Sequence, residues 1–262
     1  MSAKTLVSCL MVTLATPERL PFLRRSIAGY CAQTYPRREL VIVTDPGPTP
    51  AKSALGAMIA EHGRDDIRVV EAEGRMMVGA LRNLAHDRAA GEVCCQWDDD
   101  DLHHPERLER QLAALDESGA QAVCLQQVMQ FFPKAGELRC VNWRATEATV
   151  FPGSLMSRAS APVRYIETGP GSHHGEDTEL VRQLMAIDGL HALPDAPHLY
   201  VYVSHGANSF DDVHHRMLAD RLSISQGILR RREAQLRDGL RPFDFGPHPV
   251  TVWGPNGAAF VL

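Results

Sequence analysis

Four consecutive aspartates, Asp98–Asp101, directly follow the mostly apolar run EVCCQW. Adjacent carboxylates repel one another unless water or a cation neutralises their charge. Because alternate residues of an extended chain share a face, we expect Asp98 and Asp100 to point together. Two such carboxylates suit a hard divalent cation that also holds substrate phosphates. The alternative is a solvated run that caps the following helix, since Asp is also favoured there.

A second acidic residue lies where another predicted strand ends. Asp45 follows the run ELVIVT, just as Asp98–Asp101 follow EVCCQW. In an open parallel sheet, ligands bind beyond the carboxyl ends of the strands. The sequence therefore predicts a polar ligand site at that edge, with acids from two strands.

Strand and helix signals alternate over the first 125 residues. Apolar runs predict strands at 6–14, 39–44, 67–72 and 92–97. Apolar residues at helical spacing predict helices at 20–31, 53–63, 78–91 and 105–119, the last of them starting with a proline. This alternation is typical of an α/β fold with a doubly wound, mostly parallel sheet.

The alternation weakens beyond residue 125. Strands are predicted at 122–132, 137–143, 148–157 and 198–204, which suggests a smaller mixed or antiparallel region. A helix is predicted at 177–187, and a helical region extends to about residue 238. The proline- and glycine-rich tail, residues 243–262, receives no assignment.

The bulk composition excludes several classes of protein. A net charge of −5 and a pI near 6.2 offer no basic field for nucleic acid or anionic lipid. No apolar stretch approaches the ~20 residues that cross a bilayer, and the N-terminal run is better explained as a strand than as a signal peptide. Six cysteines without a C-x-x-C pair favour free thiols in a reducing compartment, so we expect a cytoplasmic protein.

Three segments together resemble a known enzyme family. They are MVTLATPERLPFLRRSIAGYCAQTYPRRELVIVTD, GALRNLAHDRAAGEVCCQWDDDD and HHGEDTELVRQL. In order and spacing they are similar to the inverting glycosyltransferases of family 2, over roughly residues 5–210. The resemblance implies the GT-A fold, with a nucleotide-sugar-binding half (1–125) and an acceptor-binding half with a C-terminal tail (126–262) in one continuous domain.

The resemblance also implies roles for the residues at the sheet edge. Asp98-Asp99-Asp100 match the D-x-D motif, in which Asp100 coordinates Mn²⁺ or Mg²⁺ and Asp98 lies near the donor ribose or a metal-bound water. Asp45 matches the acid that contacts the nucleotide base, with Thr13 beside it. Arg82 and Asn83 match the pair that faces the diphosphate.

Further residues are implied in the second half of the chain. Asp177, with Glu176 beside it, matches the base that deprotonates the acceptor hydroxyl; plain helix N-terminal charge is the alternative. His205 matches a histidine that completes the metal site, which suits Mn²⁺ better than Mg²⁺. His103 and His104 are expected to be exposed loop residues. His173 and His174 lie next to the presumed base, and Trp143 is a candidate for stacking on an acceptor sugar.

These observations predict a metal-dependent transferase. It would move a sugar from a nucleotide-sugar donor, a UDP-sugar by resemblance, to a hydroxyl group of a polysaccharide, glycolipid or small-molecule acceptor, with at most peripheral membrane contact. A nucleotidyltransferase is one alternative, but the loop TLATPERL lacks the glycine-rich phosphate-binding sequence. A non-catalytic nucleotide-sugar-binding module is another, although it would have no use for the base Asp177.

Overall fold

The computed structural model describes residues 5–169, 172, 175–206, 208 and 210–262. His173 and His174 lie outside these described residues. The elements of the first half alternate as predicted, and their bounds are β1 (Val7–Thr13), α1 (Leu20–Cys31), β2 (Arg38–Thr44), α2 (Pro50–Glu61), β3 (Ile67–Glu71), α3 (Val78–Arg88), β4 (Val93–Gln96), β5 (Leu102–His103) and α4 (Arg107–Ser118).

The second half adds strands and four helices to the described fold. Their bounds are β6 (Ala122–Leu125), β7 (Gln127–Phe132), β8 (Glu137–Asn142), β9 (Met156–Arg158), α5 (Glu176–Ala186), β10 (Leu190–Leu193), β11 (Tyr200–Val203), α6 (Asp212–Leu222), α7 (Gln226–Arg231), α8 (Glu233–Leu240), β12 (Thr251–Gly254) and β13 (Gly257–Val261).

Two sheets organise the chain. The first has the order β10-β6-β9-β4-β1-β2-β3, and its strands β4, β1, β2 and β3 are parallel neighbours. Only β9 runs antiparallel to its neighbours there. The second sheet, β13-β12-β8-β7-β11-β5, mixes parallel and antiparallel pairs. The predicted α/β class, a mostly parallel sheet with a mixed addition, is confirmed.

Both faces of the first sheet are covered, as parallel strands require. On one face, Leu23 and Ile27 of α1 and Leu108 of α4 pack against the alternating residues of β1, β2 and β4. On the other face, Leu81 and Ala85 of α3 pack against residues such as Leu10 and Val41. This packing aligns the carboxyl ends of β1, β2 and β4 at one edge, where α3 also begins.

One predicted strand is largely wrong. Residues 148–155 form no strand: Thr149 has a left-handed backbone (φ 56°), and Pro152 begins a 3-10 helix, Pro152–Ser154. Proline has no N–H for a sheet ladder, so pairing begins only at β9. The unassigned tail instead forms the β12–β13 hairpin, and β12 pairs in parallel with β8.

None of the described helices is long and apolar enough to span a membrane. All six cysteines are free thiols, and every one except Cys31 is buried.

Candidate active site

The four aspartates lie in a bend between β4 and β5, not in an extended segment. Asp99 and Asp101 are buried, at 2% and 1% exposure. The side chains of Asp98 and Asp100 are 23% and 14% exposed. Asp98 and Asp100 are thus the two more exposed aspartates. Their alternation with the buried pair comes from a bent backbone and not from the geometry of a strand.

Asp101 fastens this bend to β11 of the second sheet. Its carboxylate accepts hydrogen bonds from the Val203 backbone N–H (2.8 Å) and from the Tyr200 hydroxyl (2.5 Å). The Tyr200 hydroxyl also lies 3.2 Å from the Asp98 carboxylate. Burial, together with the charges of Asp100 and Asp98, raises the pKa of Asp101 well above its usual range. Asp101 is therefore a structural anchor that sets the bend against the strand leading to His205.

Arg19 binds the carboxylates of Asp99 and Asp100. It ends the short 3-10 helix Pro17–Arg19 that follows β1. Its guanidinium binds both oxygens of Asp99, one of them from Nε at 2.9 Å, and it reaches Asp100 Oδ2 at 3.0 Å. The buried Thr13 side chain lies close enough to Asp99 to lower its pKa, against the larger opposing effect of burial. Thr13 thus supports the aspartate bend from the end of β1.

His205 and Asp100 lie in direct contact, 105 positions apart in sequence. The imidazole Nε2 is 3.0 Å from Asp100 Oδ2, and the ring stacks on Phe22 with centroids 4.3 Å apart. Burial alone would raise the pKa of Asp100, but the hydrogen bond with His205 and the positive charge of Arg19 outweigh it and lower that pKa. The two predicted metal ligands are therefore brought together.

The donor atoms of this pair fit a divalent cation that also binds substrate. Two ligands at right angles on an octahedral ion lie about 3 Å apart when each is about 2.1 Å from it. That separation equals the 3.0 Å between Asp100 Oδ2 and His205 Nε2. Mn²⁺ accepts both oxygen and imidazole ligands. Over the described residues no three His, Cys, Asp or Glu side chains form a metal cluster, so further ligands would have to come from substrate or water.

Arg82 of α3 bridges Asp98 and Glu176. Its NH1 and NH2 groups lie 3.2 and 3.1 Å from Asp98 Oδ1, and its Nε lies 3.0 Å from Glu176 Oε1. The Gln96 side-chain amide also donates to Asp98 at 3.1 Å. The guanidinium is thus held between the aspartate bend and the start of α5, where the resemblance implied a diphosphate-facing residue.

The same helix fastens the segment that leads into α5. Asn83 bonds the backbone of Tyr165 twice, donating at 2.9 Å and accepting at 3.1 Å, and donates to Glu167 at 2.8 Å. Gly79 approaches this segment so closely that a Cβ would lie 2.0 Å from the Ile166 carbonyl oxygen. Glycine is therefore required there for the segment to lie against α3.

Asp177 is the second residue of α5, which begins after Gly175 in a left-handed conformation (φ 84°). Its carboxylate accepts a 2.7 Å hydrogen bond from the Thr178 backbone N–H. Burial within the site, then the negative charge of Glu176, raise the pKa of Asp177 to about 6, against the opposing charge of Arg82. A carboxylate with this pKa is ionised at neutral pH and is a better proton acceptor than an ordinary aspartate.

Asp45 lies at the same sheet edge, one residue beyond β2. The β1–β2 register places Thr44 level with Thr13. The Asp45 side chain is half-buried, and its backbone carbonyl accepts a hydrogen bond from the Lys52 ammonium group. Asp45 and Thr13 therefore flank neighbouring strand ends, on the α2 side of the aspartate bend.

Aromatic residues line the side of the bend formed by β11. Phe151 packs edge-on against Tyr200 and Tyr202, with ring centroids 5.2 and 5.8 Å apart, and lies 5.3 Å from Trp143. The Tyr202 hydroxyl lies 3.2 Å from Nε2 of the buried His215. The negative charges of Asp98, Asp100 and Asp177 all act on the Tyr202 phenol, whose pKa is raised chiefly by burial.

The expectation for His103 and His104 is wrong, because both are buried, at 4% and 7% exposure. His103 lies in β5, its ring centroid is 3.9 Å from that of Trp97, and Nδ1 is 2.7 Å from NH1 of Arg107. Burial, reinforced by the Arg107 charge, lowers the pKa of His103 well below its usual range. This histidine is a neutral core residue that packs under the aspartate bend.

Sequence reasoning missed Arg19, Tyr202 and His215. Arg19 carries a weak signal, since it lies in the loop after the first parallel strand, at the edge where ligands bind. The pairing of Tyr202 with His215 has no sequence signal, because it joins a strand to a helix through the packing of the second sheet.

The chain was compared with known proteins. The family model described as "Glycosyl transferase family 2" matches residues 11–148. The uncharacterized glycosyltransferase MJ1057 of Methanocaldococcus jannaschii is 32% identical over 115 residues, 43% of this chain and 38% of that protein. The putative glycosyltransferase EpsE of Bacillus subtilis is 30% identical over 94 residues, 36% of this chain and 34% of that protein. The alignments thus span little more than a third of either relative.

Solved structures share the fold. The mannosyltransferase PcManGT from Pyrobaculum calidifontis, in complex with GDP-Man and Mn²⁺, aligns with a TM-score of 0.60 at 18% identity, covering 90% of this chain and 66% of that one. S. aureus TarS 1-349 in complex with UDP-GlcNAc aligns with a TM-score of 0.58 at 15% identity and the same coverage. These likenesses show the GT-A fold. The family match spans more than half of the 262 residues, and the chain therefore belongs to glycosyl transferase family 2.

Proposed function

We propose that the protein transfers a sugar from a nucleoside diphosphate sugar to a hydroxyl group of an acceptor, with inversion at the anomeric carbon. One observation supports the proposal: Arg82 joins Asp98 of the aspartate bend to Glu176 at the start of α5, and the neighbouring Asp177 is close enough for the charges of Arg82 and Asp98 to act on its pKa. A carboxylate with a raised pKa beside a diphosphate-binding bend is the arrangement that a single displacement needs.

The donor would lie along the carboxyl ends of β1, β2 and β4. Asp45 and Thr13 would contact the nucleoside, and Asp98 would face the ribose and diphosphate, with Arg82 behind it. Asp99, predicted to contact the donor, is buried and bound by Arg19, so it would support the bend instead. Two proteins of the same fold have been solved with nucleotide sugars, TarS with UDP-GlcNAc and PcManGT with GDP-Man, which supports a nucleotide sugar as the donor. The resemblance favours a UDP-sugar, whereas PcManGT was solved with GDP-Man, so the first assay includes both classes of donor.

Asp100 and His205 would hold Mn²⁺ or Mg²⁺, since their donor atoms fit such an ion. When bound, the cation acts as a Lewis acid that stabilises negative charge on the leaving diphosphate. PcManGT, a protein of the same fold, was solved with Mn²⁺, which supports a divalent cation here.

Asp177 would remove the proton of the acceptor hydroxyl. As that oxygen attacks the anomeric carbon, the bond from this carbon to the diphosphate breaks, and the nucleoside diphosphate leaves with the bonding electrons. The proton ends on the Asp177 carboxylate. Glu176 stays paired with Arg82, at 3.0 Å, and is thereby kept from competing as the proton acceptor.

The acceptor would lie against the aromatic residues next to the bend. Phe151, Trp143 and Tyr202 offer apolar ring faces near the carboxylates, which suits a sugar ring with its apolar face and hydroxyl groups. Burial lowers the pKa of His215, and Nε2 of the neutral ring, 3.2 Å from the Tyr202 hydroxyl, is placed to accept a hydrogen bond from it. The Tyr202 oxygen could then accept a hydrogen bond from the acceptor.

The test is a nucleotide-release assay with UDP- and GDP-sugars, with and without Mn²⁺ and with simple saccharides as acceptors. We expect metal-dependent release from one donor class and its loss, by at least about a hundredfold, in Asp177→Asn. Asp188→Asn is the matched control, because Asp188 is exposed and lies two residues beyond the far end of α5. Full turnover in Asp177→Asn would refute the assignment of the base.

A further inference from the structure

Asp100 Oδ2 is shared between two partners. His205 Nε2 and Arg19 NH2 each lie 3.0 Å from this single oxygen. A cation held by Asp100 and His205 would have to use the same oxygen and would lie next to a guanidinium of like charge. Two positive charges a few ångströms apart in a partly buried site repel strongly. As arranged here, Arg19 therefore opposes cation binding at Asp100.

Arg19 has a second anchor that does not depend on Asp100. Its Nε lies 2.9 Å from Oδ2 of buried Asp99, and its NH2 also binds Asp99. The guanidinium can therefore turn about Asp99, giving up Asp100 without leaving a buried carboxylate unpaired. A residue with only one carboxylate partner could not change partners at so small a cost.

Arg19 also lies where a donor diphosphate would pass. It follows β1 at the crevice edge, and its side chain is 22% exposed. Planar guanidinium groups bind phosphate oxygens in the same forked geometry as carboxylates. A diphosphate at this edge would offer Arg19 a replacement for the bond to Asp100.

We propose that Arg19 makes cation binding at Asp100 depend on the donor diphosphate. Without a diphosphate, Arg19 holds the Asp100 oxygen and weakens cation binding. With one, the guanidinium turns to the phosphate oxygens, and Asp100 Oδ2 becomes available to the cation. This inference rests on the cation site of the proposed function, and it assigns to Arg19 a coupling role between the two ligands.

If Arg19 had only a structural role, its removal would change the cation affinity in the opposite direction. If the ion pair served only to shape the bend, its removal would disorder Asp100 and weaken cation binding. If Arg19 competes for Asp100, its removal strengthens the binding of the cation alone. Linkage adds a second signature: the factor by which a nucleoside diphosphate tightens cation binding shrinks when the coupling residue is lost.

The experiment is a titration with Mn²⁺ alone, followed by electron paramagnetic resonance of free Mn²⁺, and then with Mn²⁺ in saturating UDP or GDP. We expect Arg19→Gln to bind Mn²⁺ alone about tenfold or more tightly than the wild type. We also expect the enhancement by the nucleotide to fall by a similar factor. Arg24→Gln is the matched control, because Arg24 pairs with exposed Glu61 away from the bend, and its affinity should not change.

Two further variants distinguish a wrong role for Arg19 from a wrong cation site. Arg19→Gln leaves Asp99 buried and unpaired, so the double variant Arg19→Gln/Asp99→Asn removes that charge as well and should keep the tighter Mn²⁺ binding. Unchanged or weaker binding by both would overturn the role of Arg19. Asp100→Asn tests the site itself: Mn²⁺ affinity equal to the wild type would refute the proposed cation site and this inference with it.

Discussion

The transfer rate should depend on pH through the ionisation of Asp177, whose pKa is shifted by the residues around it. Its pKa is raised to about 6, whereas an ordinary aspartate titrates near about 3.9. A base works only when deprotonated, so activity is lost as the pH falls through about 6. At pH 5 about one tenth of the sites would be ionised, against nearly all at pH 8, which predicts a roughly tenfold drop in kcat.

Glu176→Gln tests the origin of that pKa. Glu176 is buried next to Asp177, and its negative charge is the second cause of the upward shift. Removing this charge should move the midpoint of the pH profile to lower pH, while Arg82 keeps its bonds to Asp98. Glu179→Gln is the matched control, since Glu179 is half-buried on the same helix and is not among the causes of the shift.

The assay measures kcat at saturating donor, acceptor and Mn²⁺ from pH 5 to 8. Because His205 must be neutral to bind a cation, Mn²⁺ occupancy is checked at every pH by electron paramagnetic resonance. A flat profile at full occupancy would refute the role of Asp177 as the base. A midpoint that rises in Glu176→Gln would refute the electrostatic origin of its pKa.

Three other substitutions test the supports of the site. Gly79→Ala places a Cβ 2.0 Å from a backbone oxygen and should lower the free energy of unfolding, measured by urea denaturation, by about 1–3 kcal/mol. Gly56→Ala is the control, because open space surrounds Gly56 and its substitution should cause no such loss. Asp101→Asn disturbs a buried anchor of β11 and should cost about 1–3 kcal/mol in the same measurement. Tyr202→Phe should raise the acceptor KM about tenfold and leave the donor KM and Mn²⁺ affinity unchanged in steady-state kinetics.

The first half of the fold could be predicted because its signals are local. Buried parallel strands appear as apolar runs, and α1 and α4 show apolar residues at helical spacing, so alternation alone specified the sheet that positions Asp45 and Asp98. Residues 148–157 misled because their apolar composition matches a strand, while Thr149 and Pro152 adopt backbone conformations that interrupt one. The β12–β13 hairpin was missed because its pairing with β8 is long-range.

The candidate site was only partly predictable, because its contacts are also long-range. Residue types and resemblance indicated Asp98, Asp100, Asp177 and His205, but not their partners. Arg19 binds carboxylates 80 positions away, and Arg82 binds Glu176, 94 positions away. Such pairings depend on which loops the folded sheet brings together. His103 is likewise buried by its contacts with Trp97 and Arg107. The polar residues next to it in sequence suggest an exposed loop instead.

The charge balance of the site supports the proposal that a cation is needed. Six acids meet here (Asp98–Asp101, Glu176 and Asp177), whereas the guanidinium groups that bind their carboxylates belong to Arg19 and Arg82. Burial raises the pKa of Asp101 and of Asp99, which lowers the negative charge but does not reverse its sign. A donor diphosphate would be repelled by the remaining carboxylates. In the proposed function a divalent cation at Asp100 would offset that repulsion, and Arg19 would contribute its own charge to the phosphates on leaving Asp100.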